Sequence, residues 1–287
     1  MLSIFITSIL GLTLAGAPTN TTTAPADRPA VQPEPATSPE DSTKAELPKP
    51  EEIFSRYVEA IGGKEKMKEI TSRRVDGRYV GRPFDFAARL TLWQEYPNKF
   101  HLKIHEPAGE TIELAFDGKV GWERQPGIGL RLVEGIRLKE LRDTADFWGE
   151  ANWEERYLTM ETVGIIDSFA GEPAYAIHVK TLSGREKMLV FSKTTGLYLG
   201  TRTLTVSPDT GEPAEFESIL KPYKEFGGVK FPTGMIQHFV KGNETTTIDY
   251  AKVEINSEEK HDFSPPEELK KALDAEKAGE DEDGEGG

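Results

Sequence analysis

Five histidines and a scatter of serines and acidic pairs are the residues of this chain whose types could do chemistry. His101 and His105 are four residues apart, a spacing that chelates a metal on a helix. The surrounding His101-Leu102-Lys103-Ile104-His105 alternates polar and apolar, which makes it a strand; there the two Cα atoms lie about 13 Å apart and cannot share an ion. No Glu follows His101 to complete the zinc-protease pattern. His178, His238 and His261 stand alone in the sequence, each explained by a polar face or a turn. Nucleophilic catalysis finds no cysteine and no Gly-x-Ser-x-Gly elbow, and Ser168 and Ser183 fall at strand ends or turns with no histidine nearby in sequence. Glu154-Glu155 and Glu258-Glu259 lie beside turns, where charge runs are solvated faces. Gly127-Ile128-Gly129 lacks the third glycine and the helix start of a nucleotide loop, so it reads as a strand-end turn. The expectation is a protein that is not an enzyme, with no metal and no cofactor.

The elements around these residues follow an apolar parity. Phe84, Phe86, Ala88, Leu90, Leu92 and Tyr96 share one, as do Phe100, Leu102 and Ile104, and then Ile112, Leu114 and Phe116. Between them stand Asp85, Arg89, Glu95, Lys99, Lys103 and Glu113. Period-two alternation of this kind predicts antiparallel strands with one covered and one wet face. Asp117-Gly118 between two such runs suits a two-residue hairpin, whose central positions need positive φ. Strands are expected near 72–81, 84–96, 99–106, 110–117 and 119–125. After a gap they resume near 156–167, 173–182, 185–192, 197–206, 213–224, 229–240 and 244–256. Every connection within each series is too short for a parallel crossover. The fold class is therefore mainly β with a few helices, a single antiparallel meander of about eleven or twelve strands curled into an incomplete barrel with a concave apolar face.

Helices interrupt the strands twice. Pro50-Glu51-Glu52 opens the first, with proline and two carboxylates where a helix start favours them. Ile53, Phe54, Tyr57, Val58 and Ile61 fall on one face, Gly62-Gly63 ends it, and a short helix over 64–70 follows. The second region runs from about Val133 to Trp148 and places Leu138, Leu141, Ala145 and Trp148 near one face. The sheet is the partner for both stripes.

The ends differ in composition. Leu2 to Leu14 is apolar and uncharged, and Ala15-Gly16-Ala17 follows as a small-x-small cleavage pattern, so residues 1–17 read as a secretory signal peptide. A retained anchor is the alternative, although the run is shorter than the ~20 residues a spanning helix needs. Residues 18–50 hold eight prolines and almost no large apolar side chain, an extended disordered linker. The folded domain occupies 51–266, and 267–287 is an acidic tail. The 49 acidic against 35 basic residues, a formal charge of −14, argue against nucleic acid and against anionic membrane surfaces.

Leu92-Trp93, Pro97-Asn98 and Phe100, followed by Asp117-Gly118, Trp122 and finally Phe263-Ser264-Pro265-Pro266, resemble in that order the LolA-like family of periplasmic lipoprotein carriers. The resemblance implies helices closing as a lid over the sheet's open side and an acyl chain held in the concave face. Tyr96 stands where the carrier has an arginine that helps hold the lid shut, so that opening cycle is not carried over. The ligand-binding candidates are then Phe84, Phe86, Leu90, Leu92, Tyr96, Phe100, Leu102, Ile104, Ile112, Leu114 and Phe116, with Leu138, Leu141 and Trp148 from the cover. A core filled by these same side chains is the other reading, and cavity volume separates the two. The implied function is an exported, periplasmic, monomeric carrier or chaperone for acyl chains of lipoproteins or lipids, with a membrane-bound donor or acceptor protein as a further partner. The alternative is a periplasmic sensor or regulatory interaction module on the same fold, a role that the long linker and acidic tail suit better.

Overall fold

A computed structural model describes residues 47–82, 86–107, 109–206, 211–242 and 244–271. The signal peptide, most of the linker, most of the acidic tail and Phe84 lie outside the described residues.

Helix α1, Pro50–Ile61, starts with proline in its first turn beside Glu51 and Glu52, and buries the expected stripe of Ile53, Phe54, Tyr57, Val58 and Ile61. It ends at Gly62, whose φ of 132° suits glycine and where a Cβ would come within 2.6 Å of the Gly228 carbonyl oxygen. A short helix α2, Gly63–Lys68, follows.

The strands form one open sheet. Its first series is β1 (Ser72–Arg82), β2 (Phe86–Glu95), β3 (Lys99–His105), β4 (Thr111–Phe116), β5 (Gly121–Gln125) and β6 (Gly129–Val133). The second is β7 (Tyr157–Phe169), β8 (Glu172–Thr181), β9 (Glu186–Ser192), β10 (Tyr198–Val206), β11 (Pro213–Leu220), β14 (Gly234–Phe239) and β15 (Thr245–Ile255), with β12 (Tyr223–Phe226) and β13 (Val229–Pro232) as a separate two-stranded ribbon. The spatial order is β6-β5-β4-β3-β2-β1-β15-β14-β11-β10-β9-β8-β7, and each neighbouring pair is antiparallel. The 13-stranded sheet is an incomplete barrel: β6 and β7 are its edges and do not pair.

Two details depart from the expected strands. The chain turns at Gln125–Ile128 and returns as β6, where the glycines suggested only a strand end. The expected strands 213–224 and 229–240 each break, because the chain leaves the sheet at Lys221-Pro222 and rejoins it at Gly234. There φ is 149° and a Cβ would lie 2.1 Å from the Ile248 carbonyl oxygen, so only glycine fits the re-entry.

This topology dictates what covers the concave face. β6 and β7 are consecutive in sequence yet lie at opposite edges, so the chain between them must cross the open side. It does so as helix α3, Gly135–Ala145, and a 3-10 helix, Gly149–Glu155. One core cluster lies under α3 and includes Leu90, Leu102, Ile104, Ile112, Leu114 and Phe116 with Leu141 and Ala145. A second lies under α1, where Phe54 meets Phe191 edge-on at 5.1 Å and stacks on Trp153 at 5.5 Å.

Candidate ligand site beneath a latched helical cover

Helix α3 buries little of itself: Leu141, Thr144 and Ala145 are buried, Leu138 is half-buried and Ile136 faces solvent. Its close seat depends on Gly121 of β5, where a Cβ would stand 2.8 Å from Leu141 Cδ2 and 3.0 Å from Leu138 Cδ1. Gly121→Val is therefore expected to push α3 outward at a cost of about 1–3 kcal/mol. Hydrogen exchange should show α3 amides exchanging faster while those of α1 stay protected; equal protection of α3 would show that the seat tolerates the side chain.

Polar contacts pin the cover at both edges of the sheet. On the β6 side, Arg137 donates to Glu123 through Nη1 at 2.8 Å and Nη2 at 2.7 Å, and Arg131 donates through Nε at 2.6 Å. Glu123 itself is 1% exposed. Burial pushes its carboxyl up, but the hydrogen bonds and charges of Arg137 and Arg131 outweigh it and hold the group below the usual carboxylate range. On the β7 side, Glu140 pairs with Arg185, Ser183 Oγ donates to Asp143 Oδ2 at 3.0 Å, and Arg156 Nη1 donates to the Asp143 carbonyl at 2.9 Å. Asp146 then accepts from the Trp148 and Gly149 amides at 3.0 and 2.8 Å, an Asx turn that starts the 3-10 helix.

With the cover down, the concave face retains a cavity of about 70 Å3 at the end of α3. Leu92, Gln94 and Phe100 form its floor with Arg73 and Tyr250. Thr144, Phe147 and Trp148 close it from the cover, and Tyr57, Tyr223 and Phe231 form a wall. Arg73 Nε donates to Gln94 Oε1 at 3.1 Å, and the guanidinium lies 4.6 Å from the Phe231 ring centre and 5.7 Å from that of Phe147. Burial raises the pKa values of Tyr57, Tyr223 and Tyr250, which keeps these hydroxyls neutral.

Of the sequence-predicted site residues, Leu92, Phe100 and Trp148 line this cavity. Leu90, Leu102, Ile104, Ile112, Leu114, Phe116 and Leu141 are packed together beneath α3, with Phe86 and Leu138 against them. Tyr96 is 55% exposed beside the β2–β3 turn, its ring edge-on to Phe147 at 6.5 Å. Sequence reasoning missed Arg73, Gln94 and the tyrosines. The available signal was Arg73 on the same parity as the buried Val75, a charge on the inward face of β1.

Of the residues carrying the family resemblance, Trp93, Trp122 and Phe263 meet on the convex face. His261 is not isolated, as its position in sequence suggested: its ring stacks on Trp93 at 4.1 Å, and its Nε2 lies 2.8 Å from His101 Nδ1. His101 Nε2 is 3.1 Å from Glu113 Oε2, and Trp122 Nε1 donates to the Phe263 carbonyl at 3.3 Å. The segment after β15 thus straps the outside of β2, β3 and β5. Among the described residues no group of three or more His, Cys, Asp or Glu is placed to hold a metal ion.

Burial, followed by the nearby His101, pushes His261 down to about 4, with Lys103 and Arg74 acting the same way and Asp262 opposing. A histidine depressed in the folded state takes up its proton more readily when unfolded. The strap's stability is therefore fully present above pH 6.5 and declines as pH falls toward about 4. Trp93 fluorescence and exchange at residues 257–266 should report release across that window, and His261→Gln should flatten it.

No family model and no curated protein matches the sequence. Among solved structures the chain is similar to a LolA superfamily protein from Nitrosomonas europaea, at 14% identity and a TM-score of 0.52, over 76% of this chain and 98% of that one. It is also similar to a DUF1329 family protein from Desulfovibrio piger, at 10% identity and a TM-score of 0.51, over 73% and 94%. Together with the open antiparallel sheet and its helical cover, these likenesses establish that the chain has a LolA-like fold.

Proposed function

We propose that the protein is an exported, non-enzymatic carrier that shelters acyl chains of lipids or lipoproteins between the concave sheet face and its helical cover. The observation that carries this reading is how the cover is held. Helix α3 crosses an apolar face while burying three of its residues, and ion pairs at its two rims fasten it. Such a segment can lift as a unit, because three buried residues hold it less firmly than an interdigitated core would and the partly exposed Arg137 and Arg185 can turn to water.

The closed cavity of about 70 Å3 is too small for an acyl chain, so loading requires α3 to move. Lifting it bares Leu90, Leu102, Ile104, Ile112, Leu114 and Phe116, the row that the ligand would occupy beside Leu92, Phe100 and Trp148. A chain of ~10 methylenes regains roughly 8 kcal/mol of burial, which offsets the apolar contact α3 gives up. The apolar run Leu2–Leu14 with Ala15-Gly16-Ala17 supports export. Among the described residues no helix is long and apolar enough to cross a membrane.

The full chain, isolated from the compartment to which it is exported, should release acyl lipid on solvent extraction and bind a fluorescent acyl probe. Finding neither would defeat the proposal. One observation favours the second reading, an interaction module: with the cover closed the interior is largely occupied by the protein's own side chains. A single protein partner retained in stoichiometric amount, with no lipid, would make that the function.

A further inference from the structure

The protein carries a formal charge of −14, yet the described residues lining the cavity include two cations, Arg73 and Lys230, and no carboxylate. Among the described residues Arg73 has no ion-pair partner: its nitrogens meet the Gln94 amide oxygen, and its faces meet the Phe231 and Phe147 rings. Burial holds its pKa below the ordinary guanidinium value, and the groups that oppose this shift are the phenols of Tyr250 and Tyr57, not a carboxylate. The buried carboxylate Glu150 is outside the cavity lining and is held by the charges of Arg156 and Lys187, although its charge also acts on Tyr57 and Tyr223. A guanidinium is charged at every working pH, and Arg73 is half-buried, so even its partial removal from water without a counterion is costly. Two aromatic rings and one amide compensate for only part of that cost, and they leave donors of Arg73 unsatisfied by any anion. Around it stand neutral Tyr57, Tyr223 and Tyr250; Tyr223 donates its proton to the Tyr198 carbonyl at 2.8 Å and is bonded to Tyr57, which leaves the Tyr250 hydroxyl to donate.

We propose that this end of the concave face reads an anionic headgroup, so that the cargo is an amphiphile with an acyl chain along the core row and a carboxylate or phosphate against Arg73. The inference rests on the carrier reading above and narrows it to a ligand class. Lys230, an exposed residue of the cavity lining, supplies a second positive charge where the headgroup would meet solvent.

The test compares matched ligands on the full chain: palmitate against hexadecanol, and lysophosphatidate against monoacylglycerol, by calorimetry or probe displacement. The wild type should prefer the anion in at least one pair by between about tenfold and a hundredfold, the usual worth of hydrogen bonds to a charged group. The pair showing the larger preference tells carboxylate from phosphate. Arg73→Gln should abolish the preference, bringing the ratio of acid to alcohol affinity close to one, and Arg73→Lys should keep most of it. Because Arg73→Gln can disturb the fold, the wild-type ratio and its decline with salt stand as a variant-free readout. Equal affinity for the anionic and neutral ligand within both pairs overturns the headgroup inference and leaves the carrier intact. Persistence of the preference in folded Arg73→Gln also overturns it, as does displacement by inorganic phosphate alone, which would make this a free-anion site. If none of the four ligands binds, both the headgroup inference and the carrier reading fall.

Discussion

Glu123→Ala should destabilise the protein by about 3 kcal/mol and speed acyl-probe uptake several-fold. Removing one partner of a buried charge cluster costs about 3–5 kcal/mol because the other charges lose their compensation. The lower end applies here, since Arg131 and Arg137 are partly exposed and can turn to water. The loss falls on both β6 and α3, because the one carboxylate holds an arginine from each. Urea unfolding gives the stability, and stopped-flow mixing with a fluorescent acyl probe gives the uptake rate. Arg137→Ala separates the two effects: it frees α3 while leaving Glu123 paired with Arg131, so uptake should rise with a smaller loss of stability. Acid should imitate the substitution. A carboxyl held below its unfolded pKa contributes stability above the unfolded value, and that contribution is lost as pH falls through the folded one. A variant that unfolds more easily but takes up probe no faster would show that Glu123 braces the sheet edge and does not govern the cover.

Phe54→Ala should be costlier and functionally silent. The ring is fully buried, edge-on to Phe191 and stacked on Trp153, and truncating a buried Phe costs about 3–5 kcal/mol through lost burial and the void left behind. For a domain of this size that lowers the thermal midpoint by roughly 10 °C. Below the midpoint, probe uptake should match the wild type, because α1 is a fixed wall packed across β8, β9 and β10 and only α3 is latched at its rims. Faster uptake in Phe54→Ala would place α1 in the moving part and require a different gate. The contrast between the two variants separates packing from latching, which stability measurements alone do not.

Much of the architecture was legible in sequence wherever one periodicity acted alone. The stripe Ile53, Phe54, Tyr57, Val58, Ile61 and its glycine stop placed α1, and strict alternation from Phe86 to Phe116 placed β2 to β4 with their inward faces. Legibility failed where a residue answered to a neighbour distant in sequence. β6 was hidden by the glycines that precede it, and its second signal, Arg131, is explained only by Glu123 across the strand pair. The break at Gly234 is set by the Ile248 carbonyl, which belongs to another strand. His261 lies 160 positions from the His101 it contacts.

By itself, the sequence determined that this is a single-sided antiparallel sheet with an amphipathic helix at its start and no catalytic motif, because side-chain parity and turn residues act over a few positions. Only the tertiary structure decided that β1 pairs with β15, that β6 and β7 end up at opposite edges, and that α3 must therefore bridge the open side. It alone placed Arg73 against two aromatic rings with no acid beside it among the described residues. The β1–β15 pairing and the contact of Arg73 with Phe231 join residues more than a hundred positions apart, and the local spacing of residue types carries no record of such contacts.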